Sequence, residues 1–182
     1  FGVVLVSNFT IQGYFHIMNG VRPWRRSDLP AIQRVAWDTW ADAYGAFVPE
    51  EDRKEFHDSY YALQKLQNLY DSKIVDGCVA LVDGLIVGYS KTYWNQEDLQ
   101  FFITSLYMLP SYQKLNLGKR MMEYGIHIAK TNYNVDRVWL GVMVENLPAI
   151  DWYNRQGFIF EDSKPFTIGK TTIEHLYGYK LI

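Results

Sequence analysis

Two stretches of this chain hold residue types from which a binding or catalytic site could be built. The first is Gln113-Lys-Leu-Asn-Leu-Gly-Lys119, where Asn116 and Gly118 sit between Lys114 and Lys119. Gly118 has no side chain and lets a ligand approach the backbone closely. Asn116 is among the few non-glycine residues that enter the left-handed region readily. The second stretch holds Asn146 and Tyr153, seven residues apart. Seven residues are about two helical turns, so both side chains leave one helix face. Asn146 is either a helix cap or an amide that binds a ligand. Tyr153 is either a buried aromatic or a phenol that gives up a proton, its unperturbed pKa being about 10.

Other reactive residue types carry less. Cys78 lies in the strand pattern Gly-Cys-Val-Ala-Leu-Val and reads as buried and inert. As the single cysteine it excludes an intrachain disulfide and fits a reducing compartment. His127 and His175 read as a helix-surface and a strand residue. No His/Cys/carboxylate spacing suggests a metal site. The run Glu50-Glu-Asp-Arg-Lys-Glu55 reads as the solvated start of a helix.

The elements that must position these residues follow from periodicity. Residues 100–108 are rich in Phe, Ile, Thr and Tyr and read as a strand that Pro110 ends. Leu117, Met121, Gly125 and Ile128 then recur at helical spacing. The lysine-flanked stretch is therefore where a strand hands over to a helix N-terminus. Unpaired N–H groups and the helix dipole there attract anions, phosphates above all. Upstream, 21–26 is a short strand, and Ser27 caps a helix that tolerates Pro30 and runs to about residue 43. A second helix, continuous or broken, spans 50–70. Strands at 78–82 and 85–93 are joined by Asp83-Gly84, a strong hairpin signal. Downstream come a helix to about 131, a strand at 137–144, a helix at 146–156 closed by Gly157, and strands at 158–160 and 173–181 with a loop at 165–172 between them. Residues 1–19 read as an N-terminal extension and 20–182 as one mixed α/β (α+β) domain.

With 48% hydrophobic and 21% charged residues, the composition is that of a soluble globular protein. A net charge of −2 and no long Lys/Arg cluster argue against a nucleic-acid partner. Val3-Val-Leu-Val6 is too short to span a membrane. Arg22 is the first basic residue, so a secretory n-region is missing and the cytoplasm is the expected location. Aromatics are 16% of the chain, which allows a homodimer.

On these residues the chain resembles the GNAT superfamily of acetyl-CoA-dependent N-acetyltransferases, over roughly residues 20–182. The order of elements is similar, and Val21-Arg-Pro with Ser27-Asp-Leu-Pro-Ala-Ile32 resembles the usual opening strand and helix. Gln113 to Gly118 resembles the family's pyrophosphate loop, Gln/Arg-x-x-Gly-x-Gly/Ala, with Asn116 in place of the middle glycine. Residues Asn146, Ala149, Tyr153, Gly157 and Phe158 match the second motif, Asn-x-x-Ala-x-x-x-Tyr-x-x-x-Gly-Phe. The resemblance implies a mostly antiparallel central sheet splayed at its middle, with helices on both faces. It implies acetyl-CoA as cosubstrate and no metal. The pantetheine arm would lie along the backbone of Leu106, Tyr107 and Met108. The pyrophosphate would meet the N–H groups of Lys114, Leu115, Asn116, Leu117, Gly118 and Lys119, next to Gln113. Asn146 and Ala149 would hold the arm, with Tyr153 as the acid toward the leaving thiolate.

The chain also departs from the family. Carboxylate bases are often found at positions matching Phe102, Thr104 or Gly141, and all three are uncharged here. For the acceptor, Asp38, Trp40, Asp42 and Tyr44, with the acidic run at 50–52, set carboxylates near aromatics. That points to a polyamine or other small cationic amine. A protein N-terminal α-amine is the alternative acceptor, and a non-catalytic acyl-CoA-binding module the alternative of another class.

Overall fold

The computed structural model describes residues 20–72 and 74–182. Among the described residues there are seven strands: β1 (Gly20–Pro23), β2 (Val75–Val82), β3 (Leu85–Asn95), β4 (Gln100–Met108), β5 (Arg137–Met143), β6 (Ile159–Ile168) and β7 (Thr171–Leu181). They make one sheet in the order β1-β2-β3-β4-β5-β7-β6. Asp83 and Gly84 join β2 to β3 with φ of 50° and 78°, the left-handed pair that a two-residue hairpin turn requires. All neighbours are antiparallel except β4 and β5. That parallel pair meets at one register position, Phe102↔Trp139. Beyond it the strands diverge, and the facing edges of residues 103–108 and 140–143 are left without a ladder between them.

Among the described residues five α-helices cover the sheet. The helices α1 (Leu29–Tyr44), α2 (Glu50–Tyr60) and α3 (Leu63–Ser72) lie on one face. Their core packs Ile32, Val35, Trp40 and Leu66 against Val79, Tyr89 and Met143. The helices α4 (Leu117–Tyr133) and α5 (Leu147–Arg155) lie on the other. There Met122, Ala129 and Tyr153 pack against Phe101, Ile103, Val138 and Leu140. Each such side chain contributes roughly 1.5–3 kcal/mol by leaving water. Splaying therefore costs the sheet hydrogen bonds only at its middle, while apolar burial continues on both faces.

Two expectations need correction, and the break allowed for in the second helix is located. The 50–70 helix is two helices that meet at Tyr61, whose N–H closes α2 on the His57 carbonyl. Ser27 is not a cap: a short 3₁₀ turn (Arg26–Asp28) precedes α1, and the Asp28 carboxylate accepts from the Arg25 N–H (2.7 Å) and pairs with Arg22 (2.6 Å). The 165–172 loop is mostly strand, because β6 and β7 form a long hairpin turning at Gly169-Lys170. β6 is a largely exposed edge strand holding Pro165, so it lacks the apolar alternation that marks a strand in sequence.

That hairpin also explains why the acidic start of α2 is not simply solvated. Asp52 is buried and accepts from the Lys170 N–H (3.0 Å) and the Thr171 hydroxyl (2.6 Å). These bonds hold its carboxyl below the usual carboxylate range. Gly169 turns at φ 56°, and a Cβ there would lie 2.3 Å from the Asp52 carboxylate. The extension at 1–19 lies outside the described residues.

Candidate active site

The loop between β4 and α4 is built from backbone. A 3₁₀ turn at Pro110–Tyr112 breaks the strand, and Lys114 and Asn116 then take φ of 70° and 60°. Asn116 precedes α4 and makes no side-chain cap bond. The first-turn N–H groups of Leu117, Gly118 and Lys119 therefore keep the orphan character of a helix start. Lys114, Leu115, Asn116 and Lys119 are exposed around them, and the Gln113 amide donates to the Met108 carbonyl at 3.4 Å. At Gly118 an added Cβ would meet only Trp152 at 3.7 Å and Leu106 at 3.9 Å, ordinary contacts within the protein.

The gap between β4 and β5 is lined by polar side chains from three elements. The Asn146 side chain caps α5, accepting from the Ala149 N–H at 3.3 Å. That occupies its carbonyl and leaves its NH₂ group to donate. The Tyr107 and Tyr44 hydroxyls lie 3.1 Å apart. The Asn146 side chain also approaches the Tyr44 hydroxyl, and Tyr44 is close enough to act electrostatically on Tyr153. Tyr44, Tyr107, Asn146 and Tyr153 thus converge. Burial pushes the Tyr153 and Tyr107 phenols well above the ordinary tyrosine value. They are protonated hydrogen-bond donors at neutral pH. Nothing in the spacing of the sequence joined Tyr44, at the end of α1, to Asn146 and Tyr153.

Of the other three proposed acceptor contacts, Trp40 packs 4.9 Å from the Tyr44 ring, while Asp38 and Asp42 do not gather there. Asp38 and Asp42 are exposed, whereas Trp40 and Tyr44 are buried against the sheet. Residues four apart share a helix face and residues two apart do not, so α1 points the two carboxylates away from the two aromatics.

Lys91, which sequence reasoning passed over, and His175, read as a strand residue and found on β7, lie on the α1–α3 face beside this gap. Lys91 on β3 is 1% exposed, with its Nζ 4.5 Å from the Tyr60 ring and 5.0 Å from the Tyr61 ring. Burial pushes its pKa down to about 8. Among the described residues no carboxylate pairs with it. Its sequence signal was a lysine in phase with Tyr89 inside an apolar strand.

The second residue is His175 on β7. A Cβ at Gly141 would lie 3.0 Å from its Cε1. An imidazole from the next strand thus fills the space that Gly141 leaves open. His175 is pushed down to about 4 by burial, and its Nδ1 is buried without a partner. Cys78 is fully buried, its thiol pushed up to about 12, as an inert strand residue would be. Among the described residues no cluster of three His, Cys, Asp or Glu could hold a metal ion, and no helix is long and apolar enough to cross a membrane.

Comparison with known proteins places this geometry. Residues 30–158 match the model of the acetyltransferase (GNAT) family. An N-alpha-acetyltransferase of Sulfurisphaera tokodaii is 32% identical over 90 residues, covering 44% of this chain and 54% of that protein. One from Sulfolobus acidocaldarius is 25% identical over 142 residues, covering 72% and 74%. The chain thus spans about half of the first relative and three quarters of the second. Among solved structures, the PaiA N-acetyltransferase of Thermoplasma acidophilum in complex with coenzyme A superposes with a TM-score of 0.76 at 21% identity, over 89% of this chain and 98% of that one. The splayed sheet, the anion-ready helix start and the capped second helix are those of an acyltransferase fold, and the chain belongs to the acetyltransferase (GNAT) family.

Proposed function

We propose that this chain transfers an acetyl group from acetyl-CoA to the N-terminal α-amine of a peptide. The observation that carries this reading is the charge on the acceptor face. Asp38 and Asp42 point away from the gap, the buried Asp28 and Asp52 are already bonded, and the buried ion beside the gap is the cation Lys91. A polyamine would meet that cation, and Asp38 and Asp42 would not offset it. Relatives named N-alpha-acetyltransferase support the same acceptor.

The absence of an acidic base at Phe102, Thr104 and Gly141 fits as well. An α-amine has a pKa of about 7.7–8.0, so about a tenth of it is neutral at pH 7, a cost of about 1 kcal/mol. A side-chain-like amine at about 10.4 would cost about 4–5 kcal/mol. The weaker the amine's hold on its proton, the less the protein must do to remove it.

In this reading the helix-start N–H groups from Lys114 to Lys119 hold the pyrophosphate. The free β4 edge at Leu106, Tyr107 and Met108 bonds the pantetheine arm as an added strand would. The Asn146 amide donates to the arm, and Ala149 leaves room for it. The amine nitrogen attacks the thioester carbon directly, with no acyl-enzyme. A C–N bond forms, the C–S bond breaks and its electron pair goes to sulfur. The nitrogen loses its proton to solvent in the gap, and the Tyr153 hydroxyl donates toward the sulfur.

Calorimetry with acetyl-CoA, followed by a thiol-release screen over peptides and polyamines, tests this. Release with a free peptide N-terminus but not with its blocked form is the expected result. Turnover of spermidine alone would replace the acceptor, and tight acetyl-CoA binding with no release from any amine would make the chain a binding module.

A further inference from the structure

The surroundings of Lys91 hold buried polar groups without a hydrogen bond of normal length. Its ammonium lies under the faces of Tyr60 and Tyr61 without a counter-ion. Aromatic faces offset part of the cost of a buried cation, but an unpaired buried charge remains expensive. Tyr61 is the hub of the cluster, with ring centroids 6.2 Å from Trp40 and 6.2 Å from Tyr89. The Trp40 Nε1 and the Tyr89 hydroxyl are both buried without a hydrogen bond of normal length. Indole N–H is a donor only, and an ammonium is a donor only. Lys91 and Trp40 can therefore be satisfied only by an acceptor, the Tyr89 hydroxyl can donate to one as well, and an anionic oxygen suits all three. Tyr60, which roofs Lys91, is 42% exposed and gives a way in from the surface.

Its position relative to the gap sets the reach. Lys91 lies opposite Ser105, and Tyr89 opposite Tyr107, whose hydroxyl meets Tyr44. Two residues of strand span about 6.5–7 Å, the reach from a peptide's α-nitrogen to the side-chain carboxylate of its second residue. We infer that Lys91, with Trp40 and Tyr89, forms a carboxylate subsite that selects acceptor peptides carrying Asp or Glu next to the N-terminal residue. This rests on the α-amine reading above and adds the acceptor's class.

The test uses C-terminally amidated peptides that differ only at the second residue. The wild type should show kcat/KM about ten- to a hundredfold higher for Glu than for Gln, the range of a hydrogen bond to a charged group, and lower still for Lys. In Lys91→Met the Glu/Gln ratio should fall toward one, and Lys91→Arg should restore part of it. A purely structural lysine would change both peptides alike. Trp40→Phe, which keeps a ring and removes the N–H, should lower the ratio less and serves if the Met variant does not fold. Equal kcat/KM for Glu and Gln peptides in the wild type overturns the subsite and leaves the α-amine reading standing. If no peptide turns over, the α-amine reading falls, and calorimetry of the Glu and Gln peptides in the presence of coenzyme A decides the subsite: no preference for Glu overturns it.

Discussion

The two halves of the candidate site are made of different materials. The cofactor half is backbone: a helix start left uncapped by Asn116, left-handed residues at Lys114 and Asn116, and the free edges of β4 and β5. The acceptor half, as proposed, is side chain: Tyr44 from α1, Tyr60 from α2, Tyr61 just beyond it, Lys91 from β3 and Tyr107 from β4. A backbone site tolerates most changes of residue except where a ligand touches the chain. A side-chain site is redefined by one substitution. One fold can therefore keep its acyl donor and change its acceptor, with differences in the second half alone.

The largest effect is expected where the halves meet. Tyr153 stands on the cofactor helix α5 and faces Tyr44 across the gap. Tyr153→Phe removes the hydroxyl and keeps the ring. If the phenol assists thiolate departure, kcat should fall by about 10²- to 10⁴-fold with little change in acetyl-CoA affinity. Stopped-flow thiol release and calorimetry measure the two separately. Full kcat in the variant would assign Tyr153 to packing and set the chemistry wholly on the acceptor side.

Lys91 tests whether the acceptor half gives up stability for recognition. Burial holds its pKa at about 8 against an ordinary 10.5. The folded chain thus binds fewer protons there than the unfolded chain between those values. Stability rises with pH through that window, and the full penalty is present below it. The difference is on the order of 3 kcal/mol. Lys91→Met should therefore be more stable than the wild type at pH 7 by up to that amount, with the gap narrowing from about pH 8 to pH 10. Urea melts at the two ends of the window check it. A less stable Met variant would mean that the ammonium is compensated inside the protein.

The cofactor half can be probed with one methylated carbon. In Gly118→Val the Cβ enters space bounded by Trp152 and Leu106 at ordinary contact distance. The fold should survive. The branched side chain would stand where a pyrophosphate must approach the first-turn N–H groups, and coenzyme A affinity should drop by about tenfold or more. Unchanged affinity in the folded variant would remove the phosphates from this loop.

The same division of materials decides how much could be read from the sequence. Strand-to-helix handover, the Asp83-Gly84 turn and the Asn146 to Phe158 spacing are local, and local chemistry alone fixes them. The splay between β4 and β5 came through the family resemblance, since no periodicity records which strands fail to pair. The surroundings of Lys91 and His175 were not legible, because remote strands and helices supply them. The β6–β7 hairpin was missed for a related reason: an exposed edge strand held by Asp52, 118 residues away from its Lys170 partner, has no apolar pattern to show.

The smallest expected effect is informative because the sequence argued for a large one. Asp38 and Asp42 would be the acidic contacts of a cationic acceptor if charge near aromatics in sequence meant charge near aromatics in space. In the folded chain both are exposed on the outer side of α1, while Thr39 and Trp40 face inward. Turning α1 to bring the carboxylates round would expose Ile32, Val35, Ala36 and Trp40, which are buried against the sheet. An exposed carboxylate acts on a distant amine only through water and salt, and beyond a Debye length of about 8 Å little of that survives at physiological ionic strength. Asp38→Asn with Asp42→Asn should thus change KM for either a peptide or spermidine by less than about twofold, with kcat unaltered. Raising salt should move the wild type and the double variant in parallel. A several-fold rise in KM for spermidine alone would show that the acceptor approaches over the outer face of α1, and would return the acceptor half of the site to the carboxylates.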